Sequence, residues 1–226
     1  DRPWRIQMFG GLRAERGEKA VTRFRTQKMG ALLAYLAFHN QRAHPREVLI
    51  EVVWPGIDPP AGRLNVRVAL HSIRRHLEPP GTPRGSVLRS DHASVQLNPD
   101  AIETDVAAFE AALESAAKTS TPAEQTALLS EAVELYRGEL LPGFYQDWIL
   151  AEQRRLADLY FDAIRRLAGY YAREQEWTRA LDLARRAVAL DPLREEAHQD
   201  LMRLLAAAGQ PSAALQQYEE LKRVLF

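Results

Sequence analysis

The side chains of this sequence that are best suited to bind a ligand lie on one predicted basic helix. Residues 60–77, PAGRLNVRVALHSIRRHL, repeat apolar side chains at the spacing of a single helical stripe, namely Val66, Leu70, Ile73 and Leu77. That spacing predicts a buried face. One flank carries a band of basic side chains, with no acidic residue before Glu78: Arg63, Arg67, His71, Arg74 and Arg75. Guanidinium groups pair with phosphate oxygens and with guanine edges in the major groove, so nucleic acid is the indicated ligand class.

Two interpretations of this face stay open. The cations contact a nucleic acid, or they form a solvated basic surface. Leu64 and Val68 lie opposite the apolar stripe, where a purely solvated helix seldom carries two apolar side chains. They are placed to meet a thymine methyl group, a neighbouring domain or a second copy of the chain.

Composition limits the class of protein. The chain has 226 residues, of which 46% are hydrophobic and 27% charged, and we expect two soluble domains. It has no cysteine, which excludes disulfides, thiolate chemistry and cysteine-ligated zinc. No apolar run of about 18 residues occurs, so we predict no membrane segment, no signal peptide and a cytoplasmic location.

The charge is divided unevenly along the chain. The formal net charge is zero, but residues 1–98 carry 16 Lys and Arg against 8 Asp and Glu, and residues 99–226 carry 14 against 22. Such asymmetry is expected when one half approaches a polyanion, or when the two halves dock on each other. Because the chain begins at Asp1 rather than at a methionine, we also expect it to be a fragment.

The elements around the basic helix predict a winged helix-turn-helix over residues 1–98. Alternating apolar residues predict three strands, at 4–9, 12–15 and 21–24. A first helix is predicted after Thr26, and a second is predicted to open at His44-Pro45 with a buried stripe of Val48, Leu49 and Val52. The basic helix is the third, and residues 86–97 predict a β-hairpin beside it. On this wing three side chains are placed to touch phosphate or the minor groove, unless they are ordinary surface residues: Arg84, Arg89 and His92.

Residues 99–226 are predicted to form an all-α domain. Helices are expected from Thr104-Asp105, from Thr121-Pro122 and over 148–174. The residues after Ile164 follow the spacings of a tetratricopeptide repeat: Leu167, Ala168, Tyr171, Ala180, Ala184, Ala187 and Pro192. Comparable positions recur 34 residues later, at Leu201, Leu205, Ala214, Tyr218 and Leu221. A helical hairpin without repeat ancestry would give a similar pattern. The last helix pair lacks a covering helix, so we expect a truncated C-terminus with further domains beyond it.

The order of these pieces resembles a known family. The front half, through TQKMGALLAYLAFHNQRAHPREVLIEVVWP and LNVRVALHSIRRHL, looks like the OmpR-type winged helix of the Streptomyces antibiotic regulatory proteins. The back half, with LYRGELL and PLREEAHQDLMRLLAAAGQ, is similar to the bacterial transcriptional activator domain that follows it in that family. The resemblance covers nearly the whole chain.

The resemblance implies a transcriptional activator that binds direct repeats in double-stranded DNA and contacts RNA polymerase. The outward polar positions of the recognition helix are then Arg63, Asn65, Arg67 and His71. The wing departs from the family pattern, because Ser90-Asp91-His92 stands where a Gly-Tyr pair is usual. The target sequence is therefore not implied by the resemblance.

No enzymatic motif was found. The sequence lacks a P-loop, GxGxxG, HExxH and GxSxG, and no histidine has metal-ligand spacing with carboxylates on one predicted helix. We therefore predict no catalysis, no cofactor and no metal. The leading hypothesis is a DNA-binding activator, with a head-to-tail homodimer on DNA. The alternative is a signalling adaptor or scaffold, whose winged helix and repeats bind proteins.

Overall fold

The computed structural model describes residues 2–225, which are mainly helical with a small β part. Within these residues the strands are β1 (Trp4–Gln7), β2 (Arg13–Arg16), β3 (Lys19–Val21), β4 (His44–Pro45), β5 (Leu88–Ser90), β6 (Ser94–Leu97) and β7 (Ile102–Thr104). The helices are α1 (Gln27–Phe38), α2 (Arg46–Val53), α3 (Pro59–Leu77), α4 (Asp105–Lys118), α5 (Pro122–Leu135), α6 (Asp147–Arg173), α7 (Trp177–Leu190), α8 (Glu195–Ala207) and α9 (Pro211–Leu225). None of these helices is long and apolar enough to cross a membrane.

The chain divides into two compact units. The first consists of residues 1–108 and 135–153, and the second of residues 109–134 and 154–226. The division therefore does not follow a single cut along the chain. The functional boundary after residue 98 stays a prediction.

A four-stranded sheet in the first unit has the order β3-β2-β1-β7. Strands β1, β2 and β3 are antiparallel neighbours, whereas β7 runs parallel to β1 with Trp4 opposite Ile102. The Asp105 carboxylate accepts hydrogen bonds from the backbone N–H groups of Met8 and Phe9. Burial raises the pKa of this carboxyl, although those N–H donors oppose the rise. Strand β7 was not predicted, because a three-residue strand has too little alternation to be recognised.

The three helices of the first unit and the hairpin form the winged helix-turn-helix that the sequence predicts. Thr26 caps α1, since its hydroxyl accepts from the Met29 N–H at 3.2 Å. Strand β6 of the hairpin pairs with β5 and, on its other side, with β4. The predicted Pro45 therefore lies in a short strand before α2, at its cap, rather than in its first turn.

The predicted buried stripe of α2 is wrong in part. Leu49 and Val53 are buried, as the i, i+4 spacing of one face requires, but Val48 is 41% exposed and Val52 is half-buried. Five aliphatic residues occur in this eight-residue helix, so apolarity alone does not define which face packs on the core.

Packing between α2 and α3 is close at Gly62. A Cβ atom at that position would lie 2.6 Å from Ile50 Cγ2 and 3.1 Å from Ile57 Cγ2, both well inside normal contact. The absence of a side chain therefore allows α3 to approach α2. This contact fixes where the basic helix sits relative to the helix before it.

The second unit contains the predicted repeat-like helices. The three alanines proposed for the seam between paired helices, Ala180, Ala184 and Ala187, are all buried. Ala184 belongs to a small core with Leu181, Leu201 and Leu205, which lies where α7 packs on α8. The buried His198 ring contacts Pro192 O and Gln217 Nε2 at 2.9 and 2.7 Å, so it links α8 to α9 and to the turn before α8. The tetratricopeptide-like fold is thus confirmed.

Candidate nucleic-acid interface

Burial of one face of α3 determines which face is presented outward. The predicted stripe of Val66, Leu70, Ile73 and Leu77 is buried, and each of these residues is at most 3% exposed. At about 100° per residue, the side chains that point directly away from this stripe recur at the same intervals. They are exposed and form what we call the outer stripe of α3: Leu64, Val68, His71 and Arg75.

Arg63 and Arg67 lie on one flank of the outer stripe, next to the wing. Both are exposed, and together with His92 in the wing turn and Arg46 at the start of α2 they line a surface cleft of about 380 Å³. Within residues 2–225 neither Arg63 nor Arg67 forms a hydrogen bond or ion pair with another protein group. The structure thus brings three of the predicted residues together at one cleft, with free guanidinium donors facing solvent.

Arg46 is a member of this cleft that the sequence analysis missed. Its Nε and Nη2 atoms donate to Asp91 O at 3.0 and 2.7 Å, and its backbone N–H donates to Ala93 O. The Asp91 carboxylate in turn accepts from the Ala93 and Ser94 N–H groups of the wing turn, which lowers the pKa of Asp91. The start of α2 therefore holds the wing turn, and with it His92, beside α3.

Arg74 has a different environment from the other arginines of α3. Its Nε donates to Glu78 Oε2 at 3.1 Å, and its Nη2 donates to Leu88 O and Ser90 Oγ, both at 2.9 Å. Its side chain is only 20% exposed. Arg74 was predicted as a DNA contact, but its Nη2 joins α3 to the wing and its Nε is paired with Glu78.

Glu78 is the acceptor that anchors this junction. Its side chain is 2% exposed, and its Oε1 accepts from the backbone N–H groups of Gly85, Val87 and Leu88 at 2.8–3.0 Å. Burial alone would raise the pKa of Glu78, but these three donors and Arg74 together lower it below its ordinary value. The carboxylate is thus held ionised where α3 ends and the wing begins.

The remaining predicted residues lie apart from the cleft. Asn65 is half-buried and, at the helical period, sits on the opposite flank of α3 from Arg63 and Arg67. Arg84 is exposed in the loop before the wing, and Arg89 is exposed on β5. Neither forms a hydrogen bond or ion pair within the described part of the chain.

The positive charge of the first unit is concentrated rather than spread over it. Residues 1–108 and 135–153 carry 17 Lys and Arg against 14 Asp and Glu, a net charge of +3. This is well below the +8 of residues 1–98, because the segments that complete the unit are acidic. In contrast, α3 contains four arginines and no acidic residue. A cationic field therefore arises from this helix and not from the unit as a whole.

The second unit has a larger concavity of about 1030 Å³ between its helices. Small residues of α6 and α7 form much of its wall, including Ala163, Gly169 and Ala187, while Glu114 and Arg203 contribute charges. The groove could hold about two turns of an α-helix, given a helix diameter of about 10 Å and a pitch of about 5.4 Å. Within residues 2–225 no group of three or more His, Asp or Glu side chains is arranged to hold a metal ion.

Comparisons with known proteins agree with this architecture. Residues 104–226 match the family model described as the bacterial transcriptional activator domain. The structure of Mycobacterium tuberculosis EmbR in complex with a low-affinity phosphopeptide is similar, with a TM-score of 0.80 at 19% sequence identity. That similarity covers 100% of this chain and 60% of the EmbR chain, so the fold is shared and EmbR extends further. No curated protein sequence matches the chain closely enough to count as a relative.

The family match accounts for more than half of the chain, including the whole of α4 and every later helix. Its members are transcriptional regulators and not enzymes, as the sequence predicts. This chain belongs to the bacterial transcriptional activator domain family, to which its resemblance to the Streptomyces antibiotic regulatory proteins pointed.

Proposed function

We propose that this chain binds double-stranded DNA through α3 and the wing, and that it activates transcription in the bacterial cytoplasm. The observation that carries the proposal is the acid-free outer face of α3, which adjoins a wing turn held in place by Arg46. An exposed helix with free guanidinium donors has the dimensions and charge to enter a major groove about 12 Å wide. The family match supports a regulatory role, and the site geometry supports DNA as the ligand.

Each part of the interface has a distinct role in this proposal. The outer stripe faces the floor of the major groove, where base edges are exposed. Arg63, Arg67 and His92 lie at the cleft between α3 and the wing, where a phosphate of the strand can sit. Arg84 and Arg89 contact the backbone on the wing side, and Asn65 contacts it from the other flank of α3. Arg74 positions the wing through Glu78 instead of touching DNA.

Comparison of two arginine variants tests this interface. Arg67→Ala removes a cation from the cleft, whereas Arg185→Ala removes one exposed cation from α7, with the same change in net charge. We expect Arg67→Ala to weaken duplex binding, by about 1–3 kcal/mol if Arg67 reads a base, or with a salt slope smaller by about one if it binds phosphate. Arg185→Ala should bind as the wild type does. Equal affinities of the two variants in fluorescence anisotropy would refute the proposed face.

We further propose that two copies bind head to tail on direct repeats. One recognition helix reads only a few base pairs, so discrimination within a genome requires a second module. A head-to-tail contact joins two different patches, and the half-sites should therefore point the same way, about one helical turn apart. Gel shifts on one half-site, two direct half-sites and two inverted ones test this arrangement. Tightest binding to the inverted pair would contradict it.

Activation through RNA polymerase is the part of the proposal that rests on the family resemblance. A run-off transcription assay with bacterial RNA polymerase, on a template carrying two direct half-sites upstream of a promoter, measures it. We expect more transcript with the wild-type chain than with Arg67→Ala. A chain that occupies its half-sites fully but leaves the transcript level unchanged would be a DNA-binding protein without the polymerase contact.

The groove of the second unit favours protein binding as a second candidate function. Under this alternative the chain is an adaptor, and the basic face of α3 is solvated or meets an acidic protein. Retention on a random-sequence duplex discriminates between the two functions. DNA binding predicts retention that weakens steeply as salt increases, because phosphate contacts release counterions, and the adaptor predicts none.

A further inference from the structure

Two apolar side chains stand in the middle of the face that we propose to enter DNA. Leu64 is 50% exposed and Val68 is 48% exposed, and both belong to the outer stripe of α3. They are four residues apart on the helix, so they lie side by side on its surface, about 6 Å apart along the axis. We propose that Leu64 and Val68 read thymine C5-methyl groups, so that the binding site of this chain contains two thymines no more than about two base pairs apart. This inference rests on the proposed DNA-binding function.

The chemistry of the major groove supports this assignment. Thymine presents the only methyl group among the four base edges there, and apolar side chains are its natural contacts. The spacing fits as well, because base pairs rise by about 3.4 Å and the two side chains are separated by less than two such steps. Placing Leu64 or Val68 against an amino group or a carbonyl oxygen of a base would bury that polar group without a partner, which is unfavourable.

The surroundings of the pair favour DNA over a protein partner. Arg63 and Arg67 flank the two apolar residues on one side, Arg75 continues the outer stripe, and the helix has no acidic residue. Charge complementarity therefore selects a polyanion. A second copy that met this face with its own α3 would bring the same cations into contact. Two half-exposed side chains also provide far less area than the roughly 800 Å² per partner that a stable protein interface buries.

Removal of single methyl groups from DNA tests the proposal. Duplexes are first selected from a random pool with the wild-type chain, and the tightest one is resynthesised with deoxyuridine in place of each thymine in turn. Deoxyuridine keeps every hydrogen-bonding group of thymine and lacks only the methyl group. At two neighbouring positions of each half-site we expect binding to weaken about three- to fivefold, because the favourable burial of one methyl group is lost.

Alanine variants of Leu64 and Val68 show which side chain contacts which thymine methyl group. In Leu64→Ala the penalty for deoxyuridine should vanish at one of the two positions, and in Val68→Ala at the other, as a double-mutant cycle requires for direct contact. Leu215→Ala, which truncates a leucine that is 68% exposed on α9, is the matched control and should keep both penalties. Because all three residues are exposed, the variants should fold as the wild type does.

The outcomes separate this inference from the function on which it rests. If no duplex is enriched from the pool, DNA binding itself is refuted. If duplexes are enriched but deoxyuridine is tolerated at every thymine, DNA binding stands and methyl reading is refuted. Loss of self-association in Leu64→Ala, with unchanged penalties for deoxyuridine, would assign the pair to a second copy instead.

Discussion

Arg74 and Glu78 form a shielded ion pair one helical turn apart, with 3.1 Å between Arg74 Nε and Glu78 Oε2. The pair joins the end of the proposed recognition helix to the first strand of the wing, because Arg74 also donates to Leu88 O and Glu78 accepts from the Leu88 N–H. It therefore fixes the geometry between the two elements that are proposed to grip DNA.

Truncation of Arg74 should destabilise the protein. Arg74→Ala leaves the Glu78 carboxylate buried without its cation, and we expect the free energy of unfolding to fall by about 1–3 kcal/mol. Arg75→Ala is the control, since Arg75 is the exposed neighbour in sequence and should cost less than about 0.5 kcal/mol. Urea denaturation measures both. An Arg74→Ala variant as stable as Arg75→Ala would show that the ion pair does not support the wing.

The ionised state of Glu78 predicts a dependence of stability on pH. The folded-state pKa of Glu78 lies below its ordinary value of 4.5. The carboxylate therefore stabilises the fold above about pH 4.5, and this contribution is lost as the pH falls through the lower, folded-state pKa. Glu78→Gln should be less stable than the wild type at neutral pH, and the difference should narrow as the pH falls below about 4.5. A difference that is constant over this range would contradict the role given to the charge.

Two glycine-to-alanine substitutions, one at the contact and one elsewhere as a control, test the close approach of α2 and α3. Alanine is intrinsically favoured over glycine in a helix by about 1 kcal/mol. At Gly62 the added Cβ would meet Ile50 Cγ2 at 2.6 Å, so overpacking outweighs propensity and we expect a net loss of about 1–2 kcal/mol. At Gly169 in α6 the nearest side-chain atom to the added Cβ, Arg173 Nη1, would be 3.9 Å away, and Gly169→Ala should stabilise by about 0.5–1 kcal/mol.

Thermal unfolding of the two glycine variants decides the outcome. Their melting temperatures should shift in opposite directions. Stabilisation by both substitutions would mean that Ile50 moves aside without cost, and that α3 is not held by close contact with α2.

Two alanine-to-leucine substitutions test the close packing of α7 on α8 in the second unit in the same way. Ala184 is 4% exposed in the core with Leu181, Leu201 and Leu205, so Ala184→Leu should overpack it and cost about 1–3 kcal/mol. Ala123 is exposed near the start of α5, and Ala123→Leu should cost little. Equal melting temperatures would contradict the close packing of these helices.

Long periodic elements were predictable from the sequence. The stripe of α3 was identified correctly because four apolar residues over three turns define one face without ambiguity. The cap of α1 at Thr26 and the long helix α6 were also predicted, since each has a local signal that tertiary contacts do not override. The wing was predicted because its two alternating runs flank a polar turn.

Features that depend on distant partners were not predictable. Strands β4 and β7 are two and three residues long, and they are recognisable only through their pairing with β6 and β1. In the candidate site, the sequence grouped Arg74 with the other arginines of its flank. Its separate environment arises from Glu78 and the loop that folds onto it, and neither periodicity nor spacing reports that contact. Arg46 was missed because its partner, Asp91, is 45 residues away.

The salt dependence of duplex binding tests the central claim most directly. The exposed arginines of α3, the wing and the loop before it number five, and if about four of them meet phosphates, the slope of log affinity against log salt should be about −3.6 per copy. Anisotropy titrations of one labelled duplex between about 50 and 200 mM salt measure this slope. The expected result is a slope of about −3.6 for the wild type and a slope that is shallower by about one for Arg67→Ala. An affinity that does not change with salt, or no binding at the lowest salt concentration, would contradict the account.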